Sequence, residues 1–331
     1  MAASVKDVAA LAKVSPSTVS NYLNHPQLLG DASRERIRIA IEQLGFVPNE
    51  SARQLRAGTG KLLAVSLIDA WQPYFGELSR GVEDALRATP WSLMFSNSNR
   101  DEAHELANLD MFEAHRVQGV VIYPQGDVTE RLERFAARGI KSVVVGPPLT
   151  SARFASVPFD DRGGGRLAGE HLVARGRTRI AYLGNPDDVA QSAERLTGLR
   201  DAAASAGVQV ETIPVSELSV EAGIEAGRRV LARAPHERPD AIFAANDMVA
   251  VGALTSMLRH GIDVPGDIAI VGFDDIALAH QAVVPLTSVR QPGYEIGRAA
   301  ATLLLEQLGD PAAPPPRLTP FAAELVVRAS S

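Results

Sequence analysis

The chain has 331 residues, 46% hydrophobic and 22% charged, enough to bury a large core and to form more than one domain. It contains no cysteine, which excludes disulfides and thiolate metal sites, and no stretch approaches the 18 apolar residues of a membrane span. The net charge of −6 is uneven: residues 1–60 hold seven Lys or Arg against five Asp or Glu, a local +2 that leaves −8 for the remainder.

The first predicted elements lie between Val5 and Asn21. Val5, Val8, Ala9 and Ala12 recur at helical spacing, Val14 sits in a turn, and Val19 with Leu23 resumes the pattern, so two short helices joined by a tight turn are expected. Ser15 suits the N-cap of the second helix, and Pro16 suits its first position, where a missing N–H loses no partner. The outward residues Ser17, Thr18, Ser20 and Asn21 are small and polar, as a helix entering the DNA major groove requires. A third amphipathic helix is expected from about Ser33 to Leu44, with Asp31 as its cap, giving a helix-turn-helix domain over residues 1–47. The bland alternative is a helical hairpin that only caps a larger domain.

Pro48-Asn49 opens a further predicted helix of about two turns, with Glu50 at its positive end and Gly58 as its stop. A free helix this short is marginal in water, so residues 48–60 should order only when held. A plain linker would need neither Leu55 nor the Arg53–Arg56 pair. At +2 per head, phosphate contacts from Arg34, Arg53 and Arg56 would need two copies of the chain to matter.

From Lys61 onward, short apolar runs alternate with helical stretches, which points to parallel sheets built from βαβ units. Strands are expected near residues 62–68, 92–96, 119–123, 142–145, 180–183, 241–244 and 268–273, grouped in two sheets with a break near Val157–Asp160. Ligands of such sheets bind beyond the carboxyl ends of the strands. The residues there include Tyr74, Phe75, Tyr123, Gln125, Asp160, Asn246 and Asp274. Carboxylates and amides supply directional partners for a polyhydroxylated ligand, and aromatic rings cover its apolar face. A single Asp at a strand end is also a common helix cap.

The motifs Val5-Lys-Asp-Val-Ala, Val14-Ser-Pro-Ser-Thr-Val-Ser, Pro48-Asn-Glu-Ser-Ala-Arg-Gln-Leu55, Val271-Gly-Phe-Asp-Asp275 and Val289-Arg-Gln-Pro292 make the whole chain resemble the LacI/GalR family of transcriptional regulators. The resemblance implies an α/β architecture with an N-terminal three-helix head and a two-lobed, periplasmic-binding-protein-like core with two parallel sheets. Lobe 1 would span about 61–158 and 291–320, and lobe 2 about 159–290 and 321–331, the chain crossing back at Gln291 and again at Phe321. It also implies a cytoplasmic homodimer on pseudo-palindromic operator DNA, with no cofactor, no metal and no membrane partner. Its DNA contacts would come from Ser4, Ser15, Pro16, Ser17, Thr18, Ser20, Asn21, Asn24, Arg34, Asn49, Ala52, Arg53, Leu55 and Arg56. Leu55 matches the wedge inserted between base steps of the minor groove. A small-molecule effector would meet Asp160, Arg195, Asn246 and Asp274, with Gln191 and Leu218 nearby. Effector binding would bias the lobe arrangement, and through it the pairing of the hinge helices. Repression is the family's usual mode, and activation is the alternative.

Two departures from the family pattern bear on specificity. Asn21 stands where Arg is usual, and Asn prefers adenine where Arg prefers guanine. Leu218 stands where many sugar- or purine-binding members place an aromatic, which weakens the stacking surface. Among rivals, Gly163-Gly-Gly-Arg-Leu-Ala168 formally fits a dinucleotide fingerprint, but Asp160 and Asp161 beside it would repel a pyrophosphate, so close helix packing explains the glycines better. A solute-binding protein would share the two-lobed core but not the DNA-binding head; no signal peptide is expected.

Overall fold

A computed structural model describes residues 3–46, 60–146, 153–187, 190–316 and 318–331, apart from the side chain of Asn24. They fall into two compact units, Met1–Gly60 and Lys61–Ser331.

In the first unit, α1 (Val5–Ala12), α2 (Pro16–Asn24) and α3 (Asp31–Leu44) enclose a small core of Val8, Ala9, Ala12, Val19, Ile37, Ala40 and Phe46. Ser4 and Asp7 form a reciprocal capping box on α1, the Ser4 N–H donating to the Asp7 carboxylate at 2.8 Å. Ser15 caps α2, its hydroxyl accepting the Thr18 N–H at 3.1 Å, and Pro16 takes the first helical position. The start of α3 differs from expectation. It begins at Asp31 rather than Ser33, Gly30 holds the N-cap position without a side-chain bond, and Asp31 pairs instead with Arg34 one turn on. An acidic residue inside the first turn still meets the positive end of the helix. Gly45, at φ +57°, ends α3 in the left-handed region, which returns Phe46 to the core through a bond to the Ile41 carbonyl. The hinge helix expected over Pro48–Gly58 lies outside the described residues.

The second unit contains two sheets. The first has the order β2-β1-β3-β4-β5, all parallel, from β1 (Leu62–Leu67), β2 (Ser92–Asn97), β3 (Gly119–Ile122), β4 (Lys141–Val145) and β5 (Ala155–Val157). Its helices are α4 (Pro73–Leu86), α5 (Glu102–Ala114) and α6 (Thr129–Ala137). The second has the order β11-β10-β9-β8-β6-β7, from β6 (Arg179–Leu183), β7 (Gln209–Ile213), β8 (Ala241–Ala244), β9 (Ala269–Asp274), β10 (Thr287–Arg290) and β11 (Glu324–Val326). Its helices are α7 (Asp161–Ala174), α8 (Ala190–Ser205), α9 (Val220–Leu231), α10 (Asp247–Arg259) and the short α11 (Ala277–Gln281). This sheet is not wholly parallel: β11 runs antiparallel to β10 at its edge.

The strands β5, β7, β10 and β11 were not among those expected. In β7, Gln209 and Glu211 alternate with less exposed neighbours on a sheet edge, so the strand lacks the unbroken apolar run of a buried parallel strand. The chain passes between sheets three times. It leaves the first after β5 and returns after β10 as α12 (Gly293–Gly309), which packs on α4 and β4. It leaves again near Phe321, which bridges Phe159, to form β11.

Candidate functional site

The cleft between the two sheets is lined by Ile68, Gln72, Tyr74, Phe75, Arg100, Tyr123, Gln191, Ser192, Arg195, Leu218, Ala245, Asn246, Asp274 and Gln291, and encloses ≈ 510 Å³ including its mouth. Tyr74 and Phe75 come from the first turn of α4, and Tyr123 follows β3. Their rings meet edge to face, with centroids 5.1 Å apart for Tyr74–Phe75 and 4.9 Å for Phe75–Tyr123, and form one apolar wall.

The polar side is organised around Arg195 on α8. Its Nε donates to Asp161 Oδ1 at 2.8 Å, Nη1 to the Ala245 carbonyl at 2.6 Å and Nη2 to Gln291 Oε1 at 3.2 Å. The guanidinium also lies 3.5 Å above the Phe273 ring centroid. This placement depends on glycines that let α7 and α8 touch. A Cβ at Gly165 would lie 2.0 Å from the Arg195 carbonyl oxygen, and one at Gly198 would lie 2.0 Å from that of Arg162. Within Gly163-Gly-Gly-Arg-Leu-Ala168, which lies inside α7, Gly165 makes the helix contact, while Gly164 packs on Phe273 and Gly163 sits against the Asp160 cap.

Asp274 ends β9 and faces the cleft, 3.8 Å from Arg195 Nη1. Its backbone is strained, with φ 97°, and Asp275 follows at φ 56°. A buried frame holds this turn: the Asp247 carboxylate accepts the Ile276 N–H at 2.9 Å and the Ser288 hydroxyl at 2.6 Å. Asp275 pairs with Arg290 at 2.9 Å and with Arg328 at 2.6 Å. Burial pushes the Asp274 carboxyl up to about 7, with Arg195 pulling the other way and Asp161 adding repulsion. Burial also raises Asp161, against the attraction of Arg195. For Arg195, burial works against the charge, but Asp161 and Asp274 outweigh it and the guanidinium stays ionised. One buried cation therefore faces two carboxylates, both held above the usual carboxylate range by burial.

Tyr74, Phe75, Tyr123, Gln191, Arg195, Leu218, Asn246 and Asp274 are brought together as expected. Two expected effector contacts need correction. Asp160 does not line the cleft: its Oδ1 accepts the Gly163 N–H at 2.8 Å as the cap of α7, and its neighbour Asp161 turns inward to Arg195. Gln125 also lies off the cleft wall, in a loop whose 125 and 126 amides donate to the buried Glu105 carboxylate. Arg195 serves the site mainly by positioning, since its donors are used on Asp161, Ala245 and Gln291. Asn246 does two jobs, capping α10 through its oxygen at 3.0 Å from the Val249 nitrogen and offering its amide nitrogen to the cleft. Gln72, Arg100 and Gln291 are additions to the expected set: each follows the carboxyl end of a strand, and β10, which Gln291 follows, was not among the expected strands. Gln291 lies within the Val289-Arg-Gln-Pro292 motif, and its Nε2 donates to the Tyr74 hydroxyl at 3.0 Å.

In the helical head, Asn21 is exposed on α2, while the Ser15 hydroxyl lies 2.7 Å from those of both Ser17 and Thr18. Ser20 is half-buried, and Arg34 is paired with Asp31. The Asn24 side chain and Asn49, Ala52, Arg53, Leu55 and Arg56 lie outside the described residues. No helix among the described residues is long and apolar enough to cross a membrane.

Residues 4–49 match the model of bacterial regulatory proteins of the lacI family, and residues 170–331 match that of the periplasmic binding protein-like domain. The ribose operon repressor of Bacillus subtilis (strain 168) is 32% identical over 306 residues, covering 92% of this chain and 91% of that protein. Among solved structures, a transcriptional regulator CelR–cellobiose complex aligns with a TM-score of 0.72 at 30% identity, over 99% of this chain and 100% of the other. A lac repressor dimer bound to operator and an anti-inducer aligns with a TM-score of 0.84 at 25% identity, over 100% and 99%. With a matching head, a two-sheet core around a polar and aromatic cleft, and relatives similar along almost their whole length, the chain belongs to the LacI family of DNA-binding transcriptional regulators.

Proposed function

We propose that this protein is a cytoplasmic repressor that binds a pseudo-palindromic operator as a homodimer and releases or tightens it when a small sugar occupies the cleft, with no catalytic step. The carrying observation is the cleft itself: Asp274, Asn246, Gln291 and Gln72 supply acceptors and donors opposite the Tyr74, Phe75 and Tyr123 wall. Directional hydrogen-bonding groups facing aromatic surface are what a polyhydroxylated ring needs to be bound in one orientation. The relatives point the same way, one being a ribose operon repressor and another a regulator in complex with cellobiose. For DNA, α2 presents Asn21 toward solvent, and the hinge residues Leu55, Arg53 and Arg56 are assigned the minor groove by the family motif. Residues 1–47, 48–60 and 61–331 are assigned to the head, the hinge, and the effector and dimer core.

Calorimetric titration of the full chain with ribose, cellobiose, a panel of other sugars and purine bases tests the effector class. Saturable binding of a sugar that is lost in Asp274→Asn supports it. Binding of a purine alone, or sugar binding unaffected by that substitution, refutes it.

A further inference from the structure

The cleft is bridged by one side chain that belongs to neither the predicted site nor the family motifs quoted above. Gln72 precedes α4 on the first sheet's side, yet its Nε2 donates to the Leu218 carbonyl at 2.6 Å and its Oε1 accepts from Asn246 Nδ2 at 3.1 Å. Both partners belong to the second sheet's side and both are fixed. Leu218 immediately precedes Ser219, whose hydroxyl caps α9 by accepting the Ala222 N–H at 3.1 Å. Asn246 is held by its own capping bond to Val249, which aims its amide nitrogen into the cleft. A rigid acceptor and a rigid donor on one lobe are thus matched by the carboxamide of the other. The same Nε2 lies 3.4 Å from Asp69 Oδ2, so the amide is oriented from its own side as well.

We infer that Gln72 is an internal stand-in for the effector: its carboxamide latches the two lobes across the cleft, and a bound ligand takes over the Leu218 and Asn246 contacts. The inference rests on reading this cleft as the effector site. It also narrows the ligand. The replacing group must present a hydrogen-bond acceptor to Asn246 Nδ2 and a donor to the Leu218 carbonyl, as one carboxamide or two neighbouring hydroxyls can, whereas a carboxylate lacks the donor. A ligand that cannot reproduce both contacts leaves a desolvated polar group on the second lobe, so it competes poorly with Gln72.

The test uses the full-length protein with no sugar added. Because the chain has no cysteine, one introduced at Arg87 and one at Glu225 give a single spin-label pair spanning the lobes, both positions being exposed. Excess unlabelled chain ensures that each measured pair lies within one protomer. Pulsed dipolar distances are compared for the Gln72 protein, Gln72→Ala and Gln72→Glu. The glutamate keeps the side-chain size and can accept from Asn246 but cannot donate to Leu218, so it carries the comparison even if the alanine variant folds poorly. Both variants are expected to show a longer mean distance and a broader distribution than the Gln72 protein. Superimposable distributions for all three would overturn the latch. The measurement contains no ligand, so its outcome is separate from that of the sugar titration: a chain that opens on losing Gln72 but binds no sugar keeps the latch and loses the proposed effector class.

Discussion

Removing the Arg195 guanidinium is expected to damage the core before it damages ligand binding. Arg195→Ala leaves Asp161, which is only 6% exposed, without its counter-ion, and it removes donors from the Ala245 carbonyl and the Gln291 side chain. Breaking one side of a buried ion pair costs about 3–5 kcal/mol, since the abandoned charge stays desolvated. Protonation of Asp161 limits the loss, because burial already raises that carboxyl and nothing then opposes the rise. The deficit should therefore shrink as the pH falls and Asp161 takes up a proton, so Arg195→Ala should lose less stability in acid than at pH 8. Urea unfolding of the core transition, at one fixed protein concentration, measures this in acid and at pH 8. The double variant Asp161→Asn/Arg195→Met should recover most of the loss. A single variant within 1 kcal/mol of the wild type at pH 8 would refute the view that this ion pair organises the cleft.

Asp274→Asn should abolish the effector-dependent change in operator affinity while sparing operator binding without ligand, as read by fluorescence anisotropy with and without sugar. Its stability effect also has a sign. The folded-state carboxyl is raised to about 7, so wild-type stability falls as pH climbs from the unfolded carboxylate range through neutrality. The asparagine variant should thus gain on the order of 1–3 kcal/mol relative to wild type at pH 8 and little at pH 4, checked by the same urea transitions. Leu55→Ala should leave folding intact and weaken specific operator binding by about 1–3 kcal/mol at fixed salt. Equal affinities would remove the wedge assignment. Asn21→Arg should shift one half-site base from adenine toward guanine by about 1–3 kcal/mol. An identical ranking of single-base operator variants for both proteins would leave Asn21 as a positioning residue.

Local chemistry made much of this protein legible from its residue order. Ser15-Pro16 marks the start of α2 because an N-cap hydroxyl and a proline at the first position act within one turn and need no tertiary partner. The apolar runs of β1, β3, β4 and β8 are legible because strands buried on both faces cannot carry polar residues freely. The edge strands β7 and β11 were harder, since an edge exposes half its side chains and loses that signature. At the cleft, Tyr74, Asn246 and Asp274 could be found because the carboxyl ends of strands in an open α/β sheet converge. Which of two adjacent aspartates turns inward was not decidable locally. Asp160 is the N-cap of α7 and Asp161 its first residue, and the contact between α7 and α8 that Gly165 and Gly198 permit selects Asp161 for Arg195. Gln291 falls in a family motif directly after β10, but nothing in the residue order of Gln72 or Gln291 shows what either carboxamide holds. Their partners across the cleft lie 146, 174 and 217 residues away, and only the approach of the two lobes brings those partners within reach.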